Sequence, residues 1–281
     1  MLDQYAVFGN PISHSKSPFI HDCFARQQGQ RMQYRAIEVA LDAFDETVIH
    51  FFNNQGKGLN ITLPFKEQAW KLAKQKTLRA ELAGAVNTLW RNESGEVCGD
   101  NTDGVGLVND LLHNQSVMLK DSRVLILGAG GAVRGVLLPL IEAGCNEIMI
   151  VNRTVEKAQQ LVVEFKPLLP KSTQLLAASY QELQQSQAYD LIINGTSASL
   201  DASLPPVDRS VVGAHTCCYD MMYAARPTAF CQWAVQHHAA RAIDGLGMLV
   251  EQAAEAFLCW RGIKPETSPV IALLRQSLAH Q

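Results

Sequence analysis

A chain of 281 residues is about twice the length of a typical domain, so two compact units are expected. With 47% hydrophobic and 18% charged residues it is too apolar to be disordered and can bury a sizeable core. The net charge of −3, from 24 basic and 27 acidic side chains with no basic stripe, argues against nucleic acid as a partner.

The opening run MLDQYAVFGNP has an aspartate where a secretory signal would carry basic residues, and its apolar stretch is too short for such a signal. No window approaches the ~20 apolar residues that span a bilayer, so no membrane attachment is expected. Seven cysteines, an odd number without C-x-x-C spacing, read as reduced thiols in a cytoplasm. Cys217 and Cys218 point to opposite faces if they lie on a strand, and neighbours such as His237 and His238 do not face one another on a helix. No metal site is expected from them.

In chain order, YAVFG reads as a strand, followed by a helix opened at Ser17-Pro18 and closed near Gly29. YRAIEV, a helix from about Asp42, and GLNITL continue an alternation that implies a mostly parallel sheet with helices on both faces. NTLWRN and EVCGDN, separated by Glu93-Ser94-Gly95, read as a hairpin on that sheet. Asn101-Thr102-Asp103-Gly104 then opens an apolar helix, VGLVNDLL, with a carboxylate in its first turn, where the helix dipole favours one.

A second alternating series begins at Arg123: VLILG, a helix through LLPLIEAG, IMIVN, a helix from Thr154 to about Phe165, QLLAA, YDLIINGT and a strand through CCYD. From Leu246, GMLVEQAAEAFLCWRG has apolar positions at helical spacing and too much apolar surface to stand alone, so it must pack back. The expected fold class is α/β in two domains. Residues 1–103 plus 246–281 form an N-terminal α/β substrate domain to which the C-terminal helix returns, and 104–245 form a Rossmann-type domain. Clefts between such halves are where small ligands usually bind.

VLILGAGGAVRG is an apolar strand entering a glycine-rich turn and then a helix, the context that a dinucleotide fingerprint requires. Gly128, Ala129, Gly130, Gly131 and Ala132 let backbone N–H groups approach a pyrophosphate at the helix N-terminus. Val133 stands where Gly or Ala is usual, and is expected to push the helix slightly off the strand. The second strand ends in Asn152-Arg153-Thr154 without the carboxylate that binds ribose hydroxyls in NAD-type sites, since Glu147 lies at the other end. A 2′-phosphate could meet Arg153, Thr154 and Lys157, so NADP is the expected cofactor; the plain alternative is an arginine solvated in a loop.

NITLPFKE, residues 60–67, places a lysine just past a strand end. Oxidation of an alcohol by hydride transfer requires a proton acceptor within ~3 Å of the oxygen, and burial can bring a lysine into range for that task. A wall made by Pro64-Phe65 could bury Lys66, while a nearby Asp103 would act in the opposite direction. Taken alone, a lysine after a proline is more often a solvated residue at a helix start.

FGNPISHSKSPFIH, GLNITLPFKE, AGAVNTL, GDNTDGVG, GAGGAVRG, NRT, YDMMY and DGLGMLVEQAA, in this order, resemble the motif set of the shikimate dehydrogenases over nearly the whole chain. The resemblance implies reversible NADPH-dependent reduction of 3-dehydroshikimate to shikimate, in the pathway to aromatic amino acids, between a substrate domain and a Rossmann domain. It implies Lys66 as proton acceptor with Asp103 as its partner, and Ser15 and Ser17 on the substrate carboxylate, helped by Tyr223. Thr62, Asn87 and Gln252 would take the remaining oxygens, while Met221 and Gly245 would line the nicotinamide and Thr196 would lie near the cofactor. Two plainer readings stand beside these: SHSKSP as a serine N-cap with Pro18 at the first helical position, and Met221 as core filler.

Three positions depart from the family pattern: Leu78 where an acid is often found, Gly195 in INGTSAS where alanine is common, and YAARPTAF after the YDMMY motif. The rival functions are a quinate/shikimate dehydrogenase of relaxed choice and a decayed NADPH-binding regulatory protein. Small molecules are the expected partners; oligomeric state is left open, a homodimer included.

Overall fold

The computed structural model of the chain describes residues 2–185, 187–196, 198 and 203–279. The chain forms two compact units, Met1–Gly106 with Leu249–Leu274, and Leu107–Met248 with the segment from Arg275. No helix among the described residues is long and apolar enough to cross a membrane.

The first unit runs β1 (Asp3–Gly9), α1 (Ser17–Gln27), β2 (Met32–Glu38), α2 (Phe44–Asn53), β3 (Gly56–Ile61), α3 (Lys66–Leu72), β4 (Gln75–Lys76), α4 (Leu78–Ala83), β5 (Thr88–Arg91) and β6 (Val97–Asp100), then enters α5 (Asp103–Asn109). Its sheet has the order β2-β1-β3-β5-β6-β4. The pairs β1–β2, β1–β3 and β4–β6 are parallel, and the β5–β6 hairpin turns β3–β5 and β5–β6 antiparallel. The two-residue β4 and the six-residue α4 are too short to leave a period in the sequence. One core buries Phe8, Leu59, Ile61, Phe44 and Phe65, with the last two rings stacked 4.8 Å apart. Each such side chain withdrawn from water contributes roughly 1.5–3 kcal/mol.

Helix α9 (Leu246–Arg261) supplies a lid to the same unit from Leu249 onward. Its Trp260 lies so close over β3 that a Cβ at Gly58 would stand 2.5 Å from the ring, and Trp260 Nε1 donates to Leu89 O at 3.2 Å. Arg261 fastens the helix end to Asp3 at 2.6 Å. Beneath lies His21, fully buried and stacked 4.2 Å from Tyr34. Burial holds its pKa down at about 3, against a smaller opposing effect of the Asn60 hydrogen bond.

That shift predicts an acid sensitivity. Between the unfolded pKa of about 6.5 and the folded value of about 3 the unfolded state binds the extra proton, so stability is full above this window and declines as pH falls through it. The contribution of His21 is about 1.4 kcal/mol per pH unit there. Urea titrations between pH 7 and pH 4 should therefore show a shallower decline in His21→Gln; equal slopes in the two proteins would refute the assignment.

The second unit contains β7 (Arg123–Leu127), α6 (Gly131–Glu142), β8 (Glu147–Val151), α7 (Val155–Phe165), β9 (Gln174–Ala178), β10 (Leu191–Asn194), β11 (Cys217–Asp220), α8 (Ala229–Gln236) and β12 (Arg241–Ile243); α10 (Ser268–Ala279) closes the chain. All pairs in its sheet, ordered β12-β11-β10-β7-β8-β9, are parallel. Strands β7 and β10 are buried almost throughout, which explains their unbroken apolar runs. The strand order reverses between β7 and β10, the switch point where open α/β sheets bind ligands beyond the strands' carboxyl ends. From Arg275 the tail clusters with this unit because the guanidinium pairs bidentately with Asp244, at 2.5 and 2.7 Å.

Candidate active site

In the first unit the turn after β3 reverses the expected arrangement around Lys66. Leu63 and Pro64 are exposed while Phe65 turns into the core, so no wall of Pro64-Phe65 encloses the lysine, whose side chain is 28% exposed. The outward Pro64 and inward Phe65 instead launch α3 with Lys66 as its first residue. Lys66 Nζ donates to Asp103 Oδ2 at 2.6 Å, and Asn87 Nδ2 donates to Asp103 Oδ1 at 2.9 Å. Both oxygens of the carboxylate are thereby held.

Asn87 is the local organiser. It is 2% exposed; its Oδ1 accepts from Thr102 N at 2.9 Å and its Nδ2 also reaches Gln252 Oε1 at 3.4 Å. Gln252 comes this near because Gly106 allows close approach: a Cβ there would stand 2.7 Å from the Gln252 backbone nitrogen. Thr62 follows β3, its N–H bonded to Phe8 O at 2.9 Å. Lys66, Asn87, Asp103 and Gln252 are thus joined by hydrogen bonds in one network, with Thr62 four residues before Lys66 on the same turn.

The start of α1 differs from the expected cap. Ser17 is the first helical residue, Lys16 occupies the cap position without a side-chain cap bond, and Ser15 Oγ accepts from Ser17 N at 3.3 Å. Ser15 therefore satisfies one free N–H of the helix start, the task expected of Ser17. Burial raises the pKa of the Tyr34 hydroxyl, and the neighbouring Ser17 opposes this to a smaller degree.

A buried ion network stands behind β6 that sequence reasoning missed. Asp100, 3% exposed, accepts from Arg79 Nε at 2.7 Å, from Arg79 Nη2, from Thr77 Oγ1 at 2.5 Å and from Asn101 N at 2.7 Å. Arg79 Nη2 also meets Glu255 Oε1 at 3.0 Å. Burial alone would lower the Arg79 pKa, but its bonds to Asp100 and Glu255 more than reverse this. Leu78, the departure from the family pattern, is 57% exposed on the neighbouring position.

In the second unit Gly128 through Ala132, Asn152, Arg153, Lys157 and Thr196 line one cavity of about 540 Å³. Gly128 has φ +106° and its N–H donates to Val151 O at 2.7 Å, a turn that a side chain would strain. Added Cβ atoms at Gly130 and Gly131 would meet no protein atom within 4 Å, so the first turn of α6 opens into the cavity. That is the cradle a pyrophosphate requires, and the residues present fit a dinucleotide. Arg153 and Lys157 are exposed and, among the described residues, neither has a carboxylate partner. Glu147 sits at the start of β8, paired with Arg123 at 2.9 Å. Thr154 does not line the cavity: it precedes α7 as an uncapped N-cap residue, its carbonyl accepting from Asn152 Nδ2 at 2.8 Å.

Val133 does not need the helix to retreat. It is fully buried, and its bulk is received by Gly195, where a Cβ would stand only 2.5 Å from Val133 Cγ2. The departure from the dinucleotide fingerprint at Val133 and the departure from the family pattern at Gly195 are therefore one compensated change. Gly195→Ala should cost about 1–3 kcal/mol by overpacking, and Val133→Ala should restore most of it. Thermal unfolding of the two single variants and the double variant checks this coupling.

Met221 and Gly245 adjoin the cavity's inner end without lining it. Met221 Sδ would lie 3.3 Å from a Cβ at Gly195, and a Cβ at Gly245 would collide with Met221 O at 2.3 Å. Asp220, fully buried, ties this end together: its carboxylate accepts from Asn194 Nδ2, Met222 N and Thr228 Oγ1 at 3.1, 3.1 and 2.6 Å. Asn194 Oδ1 in turn accepts from Thr196 N and Oγ1. Nothing in the spacing of YDMMY marks Asp220 as this hub. Thr228 of the altered YAARPTAF run also caps α8, accepting from Cys231 N at 3.2 Å. Tyr223 is half-buried, its hydroxyl pKa raised first by burial and then by the Asp244 carboxylate. Ser197 and Ser199 of INGTSAS lie outside the described residues.

Three family models match the chain: shikimate dehydrogenase substrate binding domain at residues 7–89, shikimate / quinate 5-dehydrogenase at 110–202, and shikimate 5′-dehydrogenase C-terminal domain at 245–275. A relative from Marinobacter nauticus named shikimate dehydrogenase (NADP(+)) is 54% identical, over 97% of this chain and 98% of that one. The crystal structure of an Ael1 enzyme from Pseudomonas putida is similar with a TM-score of 0.91 at 44% identity, covering 97% and 98% of the two chains. Shikimate 5-dehydrogenase from Thermus thermophilus, solved in complex with NADP(H) and shikimate, is similar with a TM-score of 0.84 at 31% identity, covering 99% of this chain and 100% of that one. With nearly its whole length so matched, and with the lysine–aspartate pair and the open glycine turn both in place, the chain belongs to the shikimate dehydrogenase family.

Proposed function

We propose that the protein is an NADP-dependent shikimate dehydrogenase, reducing 3-dehydroshikimate reversibly to shikimate. The observation that carries the reading is the 2.6 Å contact between Lys66 Nζ and Asp103 Oδ2, in a chain whose relatives are named for this activity. Residues 1–103 with 246–281 serve the substrate and 104–245 the cofactor in this reading. NADP, when bound, supplies the hydride acceptor or donor.

Lys66 handles the proton that accompanies the hydride. In reduction its ammonium gives a proton to the carbonyl oxygen as charge builds there; in oxidation the same nitrogen takes the hydroxyl proton. Asp103, fixed by Asn87, orients the amine and accepts from a ring hydroxyl. Ser15 and Ser17 hold the carboxylate, with Tyr223 assigned to it by the family resemblance alone; Thr62, Asn87 and Gln252 take the other oxygens. These short donors and acceptors suit a compact polyol acid. Gly128 through Ala132 hold the pyrophosphate, Asn152, Arg153 and Lys157 the adenosine end with its 2′-phosphate, and Thr196, Met221 and Gly245 the nicotinamide end; Thr154, outside the cavity lining, is left out of this set. Arg153 and Lys157, which line the cavity and have no carboxylate partner among the described residues, support the choice of NADP.

Arg153→Asp should raise KM for NADP⁺ by roughly 10- to 100-fold, the loss of one or two charge-assisted bonds, while activity with NAD⁺ is retained or improved. Equal KM values in the two proteins would remove Arg153 from the phosphate site. The reading as a whole is tested by following reduced nicotinamide with shikimate or quinate and either coenzyme. Turnover of shikimate with NADP⁺ is expected; the family model that names quinate makes that acid the substrate to set beside it. An inert protein that binds NADPH would favour the regulatory alternative. Small molecules are the proposed partners, nucleic acid is not, and a homodimer is the assembly to test by light scattering. A cytoplasmic location goes with this reading, supported by cysteines that are free thiols.

A further inference from the structure

Behind the Lys66–Asp103 pair runs a chain of buried polar side chains that proton transfer by those two groups does not require. His21, Asn60, Asn87, Thr88 and Thr102 are each at most 6% exposed, and all lie in the first unit. Asn60 Nδ2 donates to the Asn87 backbone carbonyl at 3.1 Å, an acceptor only, which fixes Asn60 Oδ1 toward the Tyr34 hydroxyl at 2.7 Å and His21 Nε2 at 3.2 Å. Both of these must donate to it, leaving His21 Nδ1 as a buried lone pair without a partner.

Going the other way, Asn60 Nδ2 donates to Thr88 Oγ1 at 3.2 Å, and Thr88 gives its single proton to Asn87 Oδ1 at 2.9 Å. The orientation of Asn87 is fixed too, since Oδ1 also accepts from the Thr102 backbone N–H. Its Nδ2 then donates to Asp103 Oδ1. Every proton from Tyr34 to Asp103 therefore points one way, toward the carboxylate, and hydrogen bonds aligned in this manner polarise and stiffen one another.

We infer that Thr88, Asn60 and the Tyr34 hydroxyl are positioning residues, which hold Asn87 and through it Asp103 where Lys66 must meet the substrate. This inference rests on the proposed roles of Lys66 and Asp103. Thr88 is the sensitive link because a hydroxyl with one proton must accept from Asn60 and donate to Asn87 at once.

Two substitutions at Thr88 separate positioning from packing. Thr88→Val keeps the shape and removes the hydroxyl; Thr88→Ser keeps the hydroxyl and removes a buried methyl. Packing alone ranks serine as the worse variant, whereas positioning ranks valine as the worse. Steady-state kinetics of the full-length protein with shikimate and NADP⁺ should give a fall in kcat of ~10-fold for Thr88→Val, with KM for NADP⁺ unchanged. Thr88→Ser should stay within ~2-fold of the parent kcat even where its Tm is lower. Valine at parental kcat, or serine losing as much as valine, overturns the inference. Should Thr88→Val not fold, Tyr34→Phe decides, with a fall in kcat of roughly 3-fold or more expected and an unchanged kcat refuting. A parent protein inert toward shikimate would sink the functional reading instead. Crystal structures of the parent and the variant would then decide the positioning, an unmoved Lys66–Asp103 contact counting against it.

Discussion

Lys66→Ala is expected to lower kcat by at least ~10²-fold, the lower range for removal of a positioned general acid or base. The amine is the group of the Lys66–Asp103–Asn87 cluster to which the proton is assigned: Asn87 does not titrate, and Asp103 serves as acceptor for the amine, for Asn87 and for the ring hydroxyl. KM for NADP⁺ should change little, because the cavity of about 540 Å³ is lined wholly by residues of the second unit. That split distinguishes a chemical role from a fold defect. Undiminished turnover in the variant would take Lys66 out of the mechanism, and a parallel loss of coenzyme binding would point to misfolding.

The second large effect concerns stability. Arg79→Ala leaves the buried Asp100 carboxylate with only Thr77 and Asn101 N as partners, and should cost about 3 kcal/mol in urea unfolding. The expense comes from stranding a charge rather than from losing an attraction, so the double variant Arg79→Met/Asp100→Leu should be more stable than the single one. A single variant unfolding at the parental urea midpoint would show that Asp100 finds water and that the network is not sealed.

Much of the first-unit site could be read from local sequence because it is built at element ends. Strand end, turn and helix start place Lys66, and a helix N-terminus places Asp103. Such junctions leave turn residues and caps that mark them. The glycine turn after β7 is legible for the same reason. What escaped sequence reading were side chains whose partners are remote: Arg79 with Glu255, Asn60 with Tyr34, Asp220 with Asn194. The short β4, α4 and β12 escaped as well, being below the length at which periodicity is visible. Pro64 was misjudged as a wall because period alone does not say which of two adjacent apolar residues faces inward after a strand has ended.

The resemblance to a family's motif set singled out Lys66 and Asp103; the sequence by itself determined the two alternating halves, the glycine turn after β7 and the missing acid after β8. The last three follow from patterns within about ten residues, where backbone geometry dictates residue type. Only the tertiary structure decided that Gly195 makes room for Val133, that Ser15 rather than Ser17 meets the start of α1, and that a directed chain from Tyr34 ends on Asp103. Close packing and the pairing of buried polar groups are set by neighbours far apart in the chain, and no local pattern records them.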